Sequence, residues 1–131
     1  AYKYLRRFDL LDLDGNYIKT VKINPYPTIH ERGKNLDREK STMCYMAVRA
    51  SKDSFYIYYL GYTVDELEDK GRKIATYIEE FDWHGNPVNR YKLNRVISDF
   101  EIIKNDEEKL SFIAIDEEND APLIIYRKNE E

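Results

Sequence analysis

The chain has 131 residues, with 21 Lys+Arg against 25 Asp+Glu and a formal net charge of −4. At roughly 100–200 residues per domain this is a single domain, and 42% hydrophobic with 14% aromatic residues is too rich for a disordered tail. No apolar run reaches the roughly 18 residues of a membrane helix and no signal-peptide pattern opens the chain, while the acidic balance argues against nucleic acid, which needs a cationic surface.

Nine strands are predicted in chain order: Tyr4–Leu13, Tyr17–Ile23, Thr42–Arg49, Ser54–Tyr62, Ile74–Trp83, Val88–Leu93, Val96–Ile103, Leu110–Asp116 and Leu123–Arg127. Tyr, Ile, Val and Phe dominate them, and such residues fit a pleated, packed surface. Ala1 is followed at once by the strand-like run from Tyr2 to Phe8, as if the chain begins in mid-structure. The turns Leu13-Asp14-Gly15-Asn16 and Trp83-His84-Gly85-Asn86 each place Gly at a hairpin tip, where positive φ is needed. The run Asp12-x-Asp14-Gly15 fails as a calcium loop, because counting from its glycine puts Leu10 first and Val21 twelfth. Cys44 is the single cysteine, so no internal disulfide forms, and Met43-Cys44-Tyr45-Met46 reads as the setting of a buried, inert thiol.

Phe55-Tyr56-Ile57-Tyr58-Tyr59-Leu60 and Ile113-Ala114-Ile115 show no polar alternation. A strand without a polar face is covered on both sides, so the sheets are expected to be sandwiched between others. Blade-to-blade packing explains Tyr56, Tyr58, Tyr59 and Tyr62. The one predicted helix starts at Thr63 as N-cap, with Glu66 completing a capping box, and ends at Gly71.

An internal repeat organises the strands. Residues 12–24 overlay 82–94 with five of thirteen positions identical, at an offset of 70 residues. Subtracting the two long loops, 25–40 and 63–73, leaves a unit of about 45 residues, the size of a four-stranded propeller blade. The expected fold is therefore all-β, a partial β-propeller of four-stranded antiparallel meander blades amounting to about two and a quarter blades. Residues 1–24 end one blade, 41–94 form a full blade with the insertion 63–73, and 95–131 form the last. A single nine-stranded β-sandwich is the alternative. Propeller blades alone would expose faces meant for neighbours, and predict association with missing blades or as a homo-oligomer.

The run 77–88, Tyr77-Ile78-Glu79-Glu80-Phe81-Asp82-Trp83-His84-Gly85-Asn86-Pro87-Val88, is followed by Tyr91-Lys92-Leu93 and Ile97-Ser98-Asp99-Phe100. With Pro122-Leu123-Ile124-Ile125-Tyr126, these residues resemble the C-terminal part of the bacterial TolB-like, six-bladed propeller-like proteins. The resemblance runs best from about Tyr56 to the end. It implies a larger ring of which this is the C-terminal portion, and a location in the cell envelope, the periplasm or outside the cell.

The short turns should share one rim of the blades and the insertions 25–40 and 63–73 the other. Function concentrates on long loops held by rigid scaffolds, although such loops also simply tolerate insertion. Tyr26, His30 and Arg32 are the binding candidates on the long-loop rim, with Tyr26 framed by Pro25 and Pro27. A protein, peptide or carbohydrate is the ligand class such a surface would meet. No histidine or cysteine spacing suggests a metal site, and no cofactor or catalytic set is identified. Glu79-Glu80 and Glu117-Glu118 read as solvated charge, pointing to opposite faces. An uncharacterised, non-enzymatic binding module is the leading expectation. The alternative is a propeller-type hydrolase with a funnel site near Arg49, Ser98 and Asp99, completed by residues of other blades.

Overall fold

The computed structural model describes residues 1–24, 29–105, 107 and 109–128. Strands β1 (Arg7–Leu11) and β2 (Tyr17–Lys22) form an antiparallel hairpin, and β3 (Glu31–Arg32) and β4 (Asn35–Leu36) form a minimal ribbon inside the first long loop. Then β5 (Met43–Ala50), β6 (Ser54–Tyr62), β7 (Thr76–Asp82) and β8 (Pro87–Leu93) make a four-stranded meander, with helix α1 (Val64–Lys70) between β6 and β7. A three-stranded meander of β9 (Asp99–Lys104), β10 (Leu110–Ile115) and β11 (Leu123–Arg127) follows. The molecule is thus mostly β and antiparallel. Its nine longer strands group as two, four and three, not as the two facing sheets of a sandwich, and the three sheets do not close a ring.

The central sheet is covered on both faces, as the apolar β6 run requires. Phe55 and Ile57 point to the β1–β2 hairpin and pack with Phe8, Tyr45 and Phe81, with Tyr59 beside them. Tyr56, Tyr58 and Leu60 point the other way, to a core shared with Ile78, Leu93, Phe100, Phe112 and Ala114. Tyr62 packs against this second core, so each β6 tyrosine is accounted for by packing. Ile57, Ile78 and Phe81 are at most 2% exposed, and burial of each such side chain contributes about 1.5–3 kcal/mol. β5 and β9, the first strands of their sheets, lie side by side, and Arg49 bonds both carboxylate oxygens of Asp99 from Nη2 at 2.7 and 2.8 Å.

The repeat extends to individual hydrogen bonds. In the first turn Asp12 Oδ1 accepts the N–H groups of Asp14 (3.0 Å) and Asn16 (2.8 Å), and Asp12 Oδ2 accepts Asn16 Nδ2 (3.1 Å). In the β7–β8 turn Asp82 Oδ1 accepts from His84 (2.9 Å) and Asn86 (2.9 Å), and its Oδ2 accepts Asn86 Nδ2 (3.1 Å). Both carboxylate oxygens of Asp12 are thus occupied in closing a hairpin. Gly15 at φ 84° and Gly85 at φ 86° take the left-handed position each tip demands. Between β9 and β10, Asn105 plays the same part, its Oδ1 accepting the N–H groups of Glu107 and Lys109.

Helix α1 has the predicted ends. Thr63 Oγ1 accepts the Glu66 N–H (3.0 Å), Glu66 Oε1 accepts the Thr63 N–H (3.2 Å), and Gly71 closes the last turn at φ 77°. No helix is long and apolar enough to cross a membrane among the described residues.

Three strand starts differ from expectation, each for a backbone reason. β1 begins at Arg7 and not at Tyr4, because the chain ahead of it turns to β5, where the Tyr2 and Lys3 carbonyls accept the N–H groups of Tyr45 and Cys44. Val96 and Ile97 are buried but lie outside the ladder, donating instead to Arg72 O (2.8 Å) and the Tyr58 hydroxyl (3.2 Å), so β9 begins at Asp99. Ile74 stands in the connection from α1, and β7 begins at Thr76, whose hydroxyl donates to Arg95 O.

Candidate functional site

The candidate binding residues His30 and Arg32 lie in the first long loop, at the β3–β4 ribbon. His30 is exposed and held by its backbone: its N–H donates to Ser41 Oγ (3.0 Å) and its carbonyl accepts from Asp37 N (2.8 Å). Arg32 is exposed on β3, its Nε 3.9 Å from Asp37 Oδ2. Tyr26 lies outside the described residues. His30 directly precedes β3 and Arg32 lies on it, beside a concavity lined by Asn35, Leu36 and Arg38. The two insertions do meet, as Asp65 N donates to Glu39 O (3.3 Å).

The alternative funnel residues are partly brought together. Arg49 donates to the Val48 carbonyl and to Asp99, and its Nε lies 3.5 Å from Glu101 Oε2. Ser98 is exposed, and its N–H donates to Ile115 O at the edge of the same sheet. The arrangement is an ion-pair clasp between β5 and β9, with two carboxylates set against one guanidinium.

Glu79 and Glu80 leave β7 on opposite faces, but they are not solvated: they are 6% and 8% exposed. Their β7 neighbours are packed on both sides, so both carboxylates are largely withdrawn from water. Glu80 accepts hydrogen bonds from Ser54 Oγ (2.7 Å), the Tyr91 hydroxyl (2.9 Å) and Asn89 Nδ2 (3.3 Å). Burial alone would raise its pKa, but these donors together with Tyr56 outweigh it and hold the carboxyl below its usual range. Glu117 and Glu118 are exposed as expected, though in a turn and not a strand, and Glu118 sits 3.2 Å from Arg72 Nε.

Glu79 lines a groove of about 520 Å³ between the end of β2 and strands β7 and β8. Its Oε2 accepts Arg6 Nη2 at 2.7 Å, and its Oε1 accepts the Tyr45 hydroxyl at 3.0 Å. Arg6 is 7% exposed, bonds the Asn24 carbonyl through Nη1 (3.1 Å) and lies 4.4 Å from the Tyr59 ring centroid. Arg90 comes next, its guanidinium 3.7 Å from the Tyr77 centroid and its Nε 3.7 Å from Glu79 Oε2. Val21, Ile23, Pro87 and Val88 supply apolar walls. The sequence offered one unused signal here: the hairpin centred on the His84-Gly85 tip places Glu79 directly opposite Arg90. Arg6 carries no such signal, because it reaches Glu79 across sheets.

Cys44 is fully buried, and burial pushes its thiol up to about 11 even though Arg6 nearby favours the thiolate. That is the inert thiol expected from its apolar setting. Among the described residues no three His, Cys, Asp or Glu side chains gather as a metal-ligand set. Compared with known proteins, the chain matches no family model, no curated protein and no solved structure.

Proposed function

We propose that this chain is a non-enzymatic interaction module made of consecutive blades of an unclosed, TolB-like propeller, and that it works by packing a further antiparallel sheet onto its last one. The observation that carries this reading is the outer face of β9–β11. Register places Ile103, Ile113, Ile115, Leu123 and Ile125 together on that face. Leu123 is 67% exposed and Ile125 57%, with Ile103 at 40% and Ile115 at 36%. The corresponding face of the central sheet is filled by the sheet that follows it. Contiguous exposed apolar surface of this kind marks an interaction site. At the opposite end of the stack Tyr2 packs on part of the hairpin, its hydroxyl donating to Asp9 and its ring lying under Arg7, while Leu11 and Tyr17 stay exposed.

The 2-4-3 grouping and the Arg49–Asp99 clasp between β5 and β9 support the blade reading, since first strands of successive blades lie side by side around a propeller axis. The carboxylates of Glu79, Glu80 and Asp99 are each engaged by donors of the scaffold, which supports binding over catalysis.

Sedimentation equilibrium on the 131-residue chain tests the proposal, with a second copy supplying the covering sheet. Reversible dimers are expected, and Leu123→Glu with Ile125→Glu should leave a folded monomer. A wild-type chain that stays a monodisperse monomer at high concentration and unfolds cooperatively would overturn the reading.

A further inference from the structure

The groove between β2 and β7–β8 is independent of the outer face of β9–β11, and its charges do not balance. Both oxygens of Glu79 are already engaged, one by Arg6 and the other by Tyr45. The Arg90 guanidinium pairs with Glu79 at 3.7 Å through Nε, beyond hydrogen-bond reach, and its side chain makes no hydrogen bond among the described residues. One carboxylate therefore faces two guanidinium groups. Arg90 is nonetheless held in place. Its guanidinium lies 3.7 Å from the centroid of Tyr77 and 5.9 Å from that of Tyr59, whose ring also meets Arg6. Its side chain is 48% exposed, so a positioned planar fork with unused donors is open to the groove.

Such a fork matches a carboxylate, which takes two parallel N–H bonds from it. The surroundings narrow the ligand further. Beside Arg90 the walls are apolar, formed by Val21, Ile23 and Val88. Among the described residues strands β2 and β8 both end their sheets, so each presents a backbone edge to an extended chain. Carboxylate, apolar side chain and extended backbone occur together at the C-terminus of a peptide ending in an apolar residue. We infer that the groove binds such a peptide C-terminus, with Arg90 as the carboxylate anchor and Val21, Ile23 and Val88 receiving the terminal side chain.

The test is NMR titration of the whole chain with acetyl-Ala-Val-Leu as the free acid and, separately, as its C-terminal amide. The acid is expected to give saturable shifts at Val21, Ile23, Val88 and the Arg90 Nε–H, with the amide weaker by roughly tenfold or more. Arg90→Gln should lose the preference for acid over amide, and Arg90→Lys should keep part of it, because a point charge replaces the fork. Equal binding of acid and amide by the wild-type chain would overturn the inference, as would absence of shifts at these residues. The wild-type comparison decides the matter even if an Arg90 variant fails to fold. The outer-face variant Leu123→Glu/Ile125→Glu should bind the acid unchanged, which separates this site from the association face.

Discussion

Glu79 and Glu80 share a peptide bond yet belong to different cores, and their surroundings explain why an acidic pair can be buried twice over. Glu79 faces the hairpin and meets a cation, whereas Glu80 faces the last sheet and meets only neutral donors. The pKa of Glu80 is depressed in the fold, so its contribution is present above the unfolded carboxyl pKa of about 4.3 and lost as pH falls through the lower folded value. Glu80→Gln replaces an acceptor-only group by one that turns an NH₂ toward Ser54 or Tyr91. It should cost about 1–3 kcal/mol near neutral pH. The cost should shrink in acid, where the wild-type carboxylate has also lost its charge. Urea denaturation of both proteins near neutrality and near pH 3 checks this, and a loss independent of pH would mean that the charge contributes nothing. The sequence could not reveal this burial. Two adjacent acids on a strand predict opposite faces correctly, but only the presence of a sheet on each side turns those faces into interiors. Cys44 was legible because apolar residues flank it within the same strand.

The two Asp-x-x-Gly-Asn turns give an internal control at the level of the element. They share their hydrogen bonds and their glycine conformation, but not their neighbours. A Cβ on Gly15 would meet nothing within 4 Å, whereas one on Gly85 would lie 2.7 Å from Val21 Cγ2 and 3.3 Å from Leu10 Cδ1. Gly15→Ala should therefore cost only the left-handed strain of about 1–3 kcal/mol. Gly85→Ala should add about 1–3 kcal/mol of overpacking, because the hairpin docks on that tip. Paired denaturation curves measure the difference, and equal losses would show that β1–β2 yields freely at Gly85. These turns, and the capping box of α1, were legible because their bonds close within five residues of sequence. The starts of β7 and β9 were not. Val96 and Ile97 carry the same apolar signal as ladder residues, yet they fill a core while their N–H groups go to Arg72 and Tyr58. The β3–β4 ribbon escaped for the opposite reason. Glu31, Arg32, Asn35 and Leu36 show no alternation, and Gly33 at φ 65° is the one local mark of its turn.

Across the whole molecule the sheets stack in series, and each of the two cores joins one neighbouring pair. Sequence repeat and two-faced apolar strands conveyed that order of sheets, because both are properties of a single chain segment. They could not convey the groove, whose Arg6 and Glu79 are 73 residues apart. Serial stacking also implies that stability is distributed by interface, as in repeat proteins. Phe8 is the hairpin's main anchor, its ring 5.1 Å from Phe55 and 4.8 Å from Phe81, both edge-on. Phe8→Ala should cost about 3–5 kcal/mol of hairpin docking, without touching the core shared by Tyr56, Tyr58, Phe100 and Phe112. Amide hydrogen exchange should then accelerate in β1, β2 and the start of β5, where Cys44 and Tyr45 hold the chain start through Lys3 and Tyr2. Amides of the β7 and β10 residues whose side chains fill the second core should keep their wild-type protection. Uniform acceleration through all three sheets would instead mean that the two interfaces fold as one unit, and that the hairpin is needed for the central sheet to form at all.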